Sequence, residues 1–89
     1  MQFRWIDWNR DHIADHGVDT DEAEMVVRNA KPPYPEDAGD DKLYVVGRGT
    51  GGRFLQVSYL LDPDGTVFVI HARPLNDREK HRFRRRTRK

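Results

Sequence analysis

Two runs of β-forming residues, Phe54 to Leu61 and Thr66 to Ala72, are separated only by Asp62-Pro63-Asp64-Gly65. Proline presets a turn-compatible φ and glycine takes the positive φ that closes a tight turn, so this link reverses the chain. Strands joined so closely pair antiparallel. Leu43-Tyr44-Val45-Val46 reads as a further strand, tied to Phe54–Leu61 by the glycine-rich turn from Arg48 to Gly52. A meandering antiparallel sheet follows. The Thr66–Ala72 run is nearly all apolar, which predicts the central strand.

The first third of the chain carries helical periodicity instead. Asp7 is placed to cap a helix running to about His16, with Trp8, His12 and His16 on one face at i, i+4, i+8 and Ile13 beside them. Gly17 is the left-handed residue after that helix, with Val18 folding back. Asp19 and Glu22 have capping-box spacing for a second helix. Its Ala23, Val26, Val27 and Ala30 follow the spacing of a buried stripe, and Lys31-Pro32-Pro33 ends it. Phe3-Arg4-Trp5 reads as a short first strand, and the acidic stretch from Pro32 to Lys42 as a loop. After Pro74, Asn76 and Glu79 have capping-box spacing for a last helix, which continues through Phe83 and frays over residues 84–89. The order is (β)ααβββα, an α+β architecture with two helices on a small antiparallel sheet and a basic C-terminal helix. At 89 residues the chain makes one domain, 1–89.

Cysteine is absent, which excludes disulfides, thiolate metal sites and cysteine nucleophiles and fits a reducing cytoplasm. No apolar run approaches the ~20 residues of a membrane span, and Met-Gln-Phe-Arg-Trp lacks the apolar core of a signal peptide. A cytoplasmic protein without a membrane partner is expected. The net charge of +1 hides an asymmetry: residues 1–70 hold 7 Lys and Arg against 13 Asp and Glu, whereas residues 71–89 hold 9 against 2. Such a tail suits a polyanion, or folds onto the acidic body and neutralises it.

Several segments together resemble a known family. Trp5, Asn9, His16-Gly17-Val18 and Glu22-Ala23 are similar to the opening of BrnT-type toxins. Val46-Gly47-Arg48 and Gly52-Arg53-Phe54-Leu55 resemble the family's Gly-Arg and Gly-Arg-Leu strand ends. Val69-Ile70-His71-Ala72-Arg73-Pro74, with the Glu- and Arg-rich segment after it, resembles its closing part. The resemblance spans nearly the whole chain in the same order. It implies a RelE-like fold and a bacterial ribonuclease toxin of a type II toxin–antitoxin pair. The implied partners are RNA and a BrnA-like antitoxin with a ribbon-helix-helix DNA-binding part. Two positions depart from the pattern: Asp15 stands where a Lys is usual before His-Gly, and Phe83 where a Tyr is common.

RNA cleavage through the 2′-hydroxyl needs no metal or other cofactor. It needs a base for that hydroxyl, cations for the phosphorane and an acid for the leaving oxygen. Arg48, Arg53 and Arg73 lie at strand ends, and their planar forks suit phosphate oxygens; an ordinary solvated role is the alternative. His16, at a helix end whose partial charge is negative, and His71, two residues before Arg73 on the same strand face, are the acid–base candidates. Either also has a plain packing role open to it. Arg78, Lys80, Arg82, Arg84, Arg85 and Arg86 are candidates for gripping RNA phosphates. His12 and His16 have a spacing that can chelate zinc, but lack the glutamate of H-E-x-x-H, and packing is the better reading. His81 reads as a solvated residue. Gly47-Arg48-Gly49-Thr50-Gly51-Gly52 satisfies G-x-G-x-x-G, yet it joins two strands and opens no helix, so it is not a dinucleotide fingerprint. Trp5 and Trp8 have the ring surface to stack bases, but read as core or partner-facing. Two rivals to a nuclease remain: a non-catalytic binding module on the same fold, and an interaction protein whose tail meets an acidic protein.

Overall fold

A computed structural model describes residues 1–87. Helices α1 (Asp7–Ala14) and α2 (Thr20–Arg28) come first. Strands β1 (Glu36–Gly39), β2 (Lys42–Arg48), β3 (Phe54–Leu61) and β4 (Val67–Pro74) follow, then α3 (Asp77–Thr87). The strands lie in the order β1-β2-β3-β4, each antiparallel to its neighbour. This is the α+β meander that the turn chemistry predicts.

The helix boundaries follow their local signals. Gly17 has φ of 73°. Its N–H donates to Ala14 O at 2.9 Å and the Val18 N–H to Ile13 O at 3.1 Å, which closes the helix end and packs Val18 over Ile13. Asp19 caps α2 by accepting from the Glu22 N–H at 2.8 Å. The Asn76 and Glu79 side chains accept from each other's backbone N–H at 2.8 and 3.0 Å, a complete capping box. Ile13, Val18, Ala23, Val26 and Val27 meet Val45, Leu55, Val57, Tyr59, Val67, Val69 and Ala72 from one face of the sheet; all are buried and form the core. No helix among the described residues is long and apolar enough to cross a membrane.

Five expectations need correction. Asp7 is the first residue of α1 and not its cap; Ile6 precedes the helix, and its N–H donates to Asn9 Oδ1 at 2.8 Å. Phe3-Arg4-Trp5 makes only one parallel bridge, Phe3 to Val67, because the chain turns almost at once into α1. The acidic loop contains β1, which pairs with β2 through a two-residue link, Asp40-Asp41. Both aspartates have positive φ, 54° and 62°, a conformation aspartate tolerates and a two-residue hairpin favours. β4 is the last strand in the sheet order and not a central one. Its apolar composition is explained by cover from outside. Val67 exchanges backbone bonds with Gln2 and Arg4 at 2.8 and 2.9 Å, and the fully buried Asn9 of α1 donates to Val69 O at 2.9 Å. Finally, α3 runs through the arginine cluster to Thr87; positions 88 and 89 of the predicted frayed end lie outside the described residues.

The β3–β4 ladder contains the feature that positions the site. Tyr59 pairs with Val69 and Ser58 with His71, so Ile70 is an extra residue in β4. Side chains alternate along a strand, and a bulge shifts that alternation by one. Val67 and Val69 face the core before it and Ala72 after it. His71 and Arg73 therefore turn to the opposite face.

Asn9 braces α1 against the sheet through Ile6 N, Arg4 O and Val69 O. Asn9→Ala is expected to lower the unfolding free energy by about 3 kcal/mol, since it strands buried polar groups. Urea denaturation measures this, and a loss below about 1 kcal/mol would deny Asn9 that role.

Candidate functional site

The face of the sheet turned away from the core carries Tyr44 and Val46 from β2, Phe54, Gln56 and Ser58 from β3, and His71 and Arg73 from β4. α3 borders it on one side, where Glu79, Arg82 and Arg86 share a recess of about 270 Å³ with Tyr44, Gln56 and Arg73. The end of α1 borders it on the other. There His71 meets His16 with ring centroids 5.0 Å apart and His12 at 5.7 Å, and His12 lies 6.4 Å from His16. Trp8 stacks on His12 at 5.2 Å and on Phe68 at 6.2 Å. Burial, reinforced by the positive fields of His16, His12 and Arg73, pushes the His71 imidazole below its usual 6.5. Its neutral, proton-accepting form is favoured. Among the described residues no group of histidines and carboxylates stands where it could hold a metal ion; the three rings meet edge to face.

The three strand-end arginines do not converge as expected. Arg73 lies on the open face. Its guanidinium donates to both Glu79 oxygens at 2.7 and 2.6 Å and to Gln56 Oε1 at 2.8 Å. Arg53 lies on the helix side, where it donates to the Glu22 carboxylate at 2.9 and 3.2 Å and to the Gly17 carbonyl. Glu22 lies on the first turn of α2, buried beside Gly49, so Arg53 ties α2 to the β2–β3 turn and is turned away from the site. Arg48 lies at the hairpin end of the open face with its guanidinium over the Phe54 ring at 4.6 Å. The Gly47–Gly52 segment joins two strands, as its sequence context predicts.

The basic helix is partly self-neutralised. Arg86 donates to both oxygens of Glu36 at 2.8 and 2.6 Å, Arg84 lies over Phe54 at 5.6 Å, and Lys80 is 3.7 Å from Asp77. Among the described residues Arg78, Arg82 and Arg85 form no salt bridge, although the field of Arg82 reaches Glu79. Of the two alternatives left open by the charge asymmetry, self-neutralisation accounts for Arg86 and Lys80. Trp5 is half-buried and donates to Glu24 at 2.7 Å, while Trp8 stays 54% exposed.

Sequence reasoning missed Gln56, Tyr44 and Glu79 as members of this face, and treated His12 apart from it. The polar alternation of Gln56 and Ser58 within β3 is the signal that marks them. Glu79 gave no such signal, because its capping-box role already accounted for it.

The fold has a solved counterpart. A crystal structure of the Brucella abortus ribonuclease toxin BrnT matches the chain with a TM-score of 0.66 and 26% sequence identity, over 86% of this chain and 99% of that one. No family model and no curated protein matches the sequence. The resemblance to BrnT-type toxins seen in scattered sequence segments thus extends to the arrangement of helices and strands.

Glu79 is held down at about 2, chiefly by hydrogen bonds from Arg73, against a usual 4.5; Arg86 and then Tyr44 do the same for Glu36. A lowered carboxylate stabilises the fold above its unfolded value and loses that contribution as pH falls through the folded one. Amide exchange in α3 is therefore expected to speed up as pH drops from 4.5 toward 2, after correction for intrinsic rates. A flat profile across that window would contradict the two anchors.

Proposed function

We propose that the chain is a ribonuclease toxin that cuts RNA through the 2′-hydroxyl and is neutralised by a BrnA-like antitoxin. The observation that carries the reading is that Arg73 and the histidine cluster share one open sheet face beside a basic helix, on the fold of BrnT, itself a ribonuclease toxin. His71, favoured in its neutral form, takes the 2′-hydroxyl proton. Attack on phosphorus builds charge on the non-bridging oxygens, and Arg73 supplies the planar fork to stabilise it. Glu79 yields part of that guanidinium to the phosphate. His16, at the exposed rim of the cluster, protonates the leaving 5′-oxygen. Arg78, Arg82 and Arg85 draw in the RNA backbone. Arg53 serves the fold in this scheme, and Arg48 lies beside the centre.

The full engagement of Arg73 by Glu79 and Gln56 is the observation that favours the second reading, a binding module without catalysis on the same fold.

Induced expression in bacteria separates the two. The unaltered chain is expected to stop growth and deplete total RNA. Arg73→Ala and His71→Ala each relieve both effects, with purified protein losing about 100-fold or more in cleavage rate in the presence of EDTA. Co-expression of a BrnA-like antitoxin restores growth. Normal growth and intact RNA at confirmed soluble expression would leave only the binding module.

The lowered His71 also sets a pH dependence. With base function on a ring that protonates below 6.5, the acidic limb of the cleavage-rate profile has its midpoint under that pH. An acidic limb with its midpoint above pH 6.5 would remove His71 from the base role.

A further inference from the structure

A second cleft opens between the end of α2 and α3. It has a volume of about 820 Å³, and its walls include Asn29, Lys31, Tyr34, Arg48, Phe54 and Phe83. Phe54 and Phe83 lie 5.2 Å apart at 58°, and Tyr34 is 6.1 Å from Phe83 at 33°. Among the described residues no carboxylate lines it, in a chain with 15 aspartates and glutamates. Arg48 and Lys31 make it electropositive, and neither has a carboxylate partner among the described residues. Tyr34, Val46 and Phe83 also line the recess that holds Arg73, so cleft and recess are neighbours that share these side chains.

We infer that this cleft is a nucleotide subsite, which takes one unpaired base adjacent to the scissile phosphate and sets a base preference beside the cut. The inference rests on the ribonuclease reading and deepens it. Aromatic walls accept any base by stacking. Arg48 supplies a guanidinium held over an aromatic ring rather than in a salt bridge, so a phosphate engages it without breaking an ion pair. Asn29, an exposed residue of the lining, has both an amide donor and an acceptor with which to read a base edge. The volume admits a nucleotide, and the side chains shared with the Arg73 recess place it next to the phosphate that Arg73 would hold. An apolar protein segment is the competing occupant; a described lining without carboxylates and the two cations Arg48 and Lys31 favour the polyanion.

The test uses a single-stranded RNA made uncleavable by 2′-O-methyl substitution, with binding followed by fluorescence anisotropy, and a cleavable random-sequence RNA whose cut sites are sequenced. Phe54→Leu keeps the apolar volume and loses the aromatic face. It is expected to weaken binding about ten-fold and to flatten the base preference beside the cut, while Phe54→Tyr retains both. Arg48→Gln alters an exposed side chain, so folding is not at issue, and reduces the slope of log affinity against log salt by about 0.7, the loss of one phosphate contact. Unchanged affinity, salt slope and cut-site preference in all three variants, with RNA still bound and cut, would overturn the subsite and leave the ribonuclease reading standing. Failure of the unaltered protein to bind or cut any RNA would remove both. Loss of antitoxin binding in Phe54→Leu with RNA binding intact would assign the cleft to a protein partner and overturn the inference.

Discussion

One extra residue in β4 divides the molecule into a core and a chemical surface. Up to Val69 the odd-numbered positions of the strand face the helices, and continuing that alternation would bury His71 and Arg73 among valines and leucine. An ionised guanidinium in that setting is prohibitively unfavourable without a partner. The bulge at Ile70 reverses the phase, so Ala72 fills the core position and both polar side chains face out. The cluster of His12, His16 and His71 depends on the same shift, because only then does His71 reach the rim where α1 ends.

Charge distribution is the second organising factor. α3 is strongly basic, with Arg78, Lys80, Arg82, Arg84, Arg85 and Arg86 against Asp77 and Glu79, and its attachment uses carboxylates at two points, Glu36 with Arg86 and Glu79 with Arg73. These pairs are partly exposed, so their worth lies less in stability than in fixing where the helix sits. The consequence for chemistry is that Arg73 is oriented in advance. Its fork is fixed by Gln56 and by both oxygens of Glu79, so its donors have a set direction before any ligand arrives.

The sequence made legible whatever is decided locally. The Gly17 helix end, the Asp19 cap, the Asn76–Glu79 box and the Asp62–Gly65 reversal are all set within a few residues, and each appears as its chemistry dictates. What depends on distant neighbours was hidden. The apolar run of β4 signals burial, but burial by α1 and residues 2–4 cannot be told from burial between two strands. β1 was masked by composition, since Asp-rich segments read as loops until their turn is seen to take two consecutive left-handed residues. The candidate site was half legible for the same reason. His71 and Arg73 share a face two residues apart, as spacing requires. The role of Arg53 was set by Glu22, a residue 31 positions away that no local pattern connects to it.

The two edges of the sheet are guarded in different ways. On one side Gln2, Arg4 and Asn9 occupy the outward hydrogen-bonding groups of β4. On the other, β1 is four residues long, begins with Glu36-Asp37 and turns at Asp40-Asp41. Unpaired strand edges are templates for another chain, and short, charged or covered edges deny that template. The chain can thus accumulate without strand-to-strand polymerisation, even with an aromatic surface and an open sheet face left accessible. Its acidic segment is then more than a counterweight to the basic helix: it is what keeps the sheet finite.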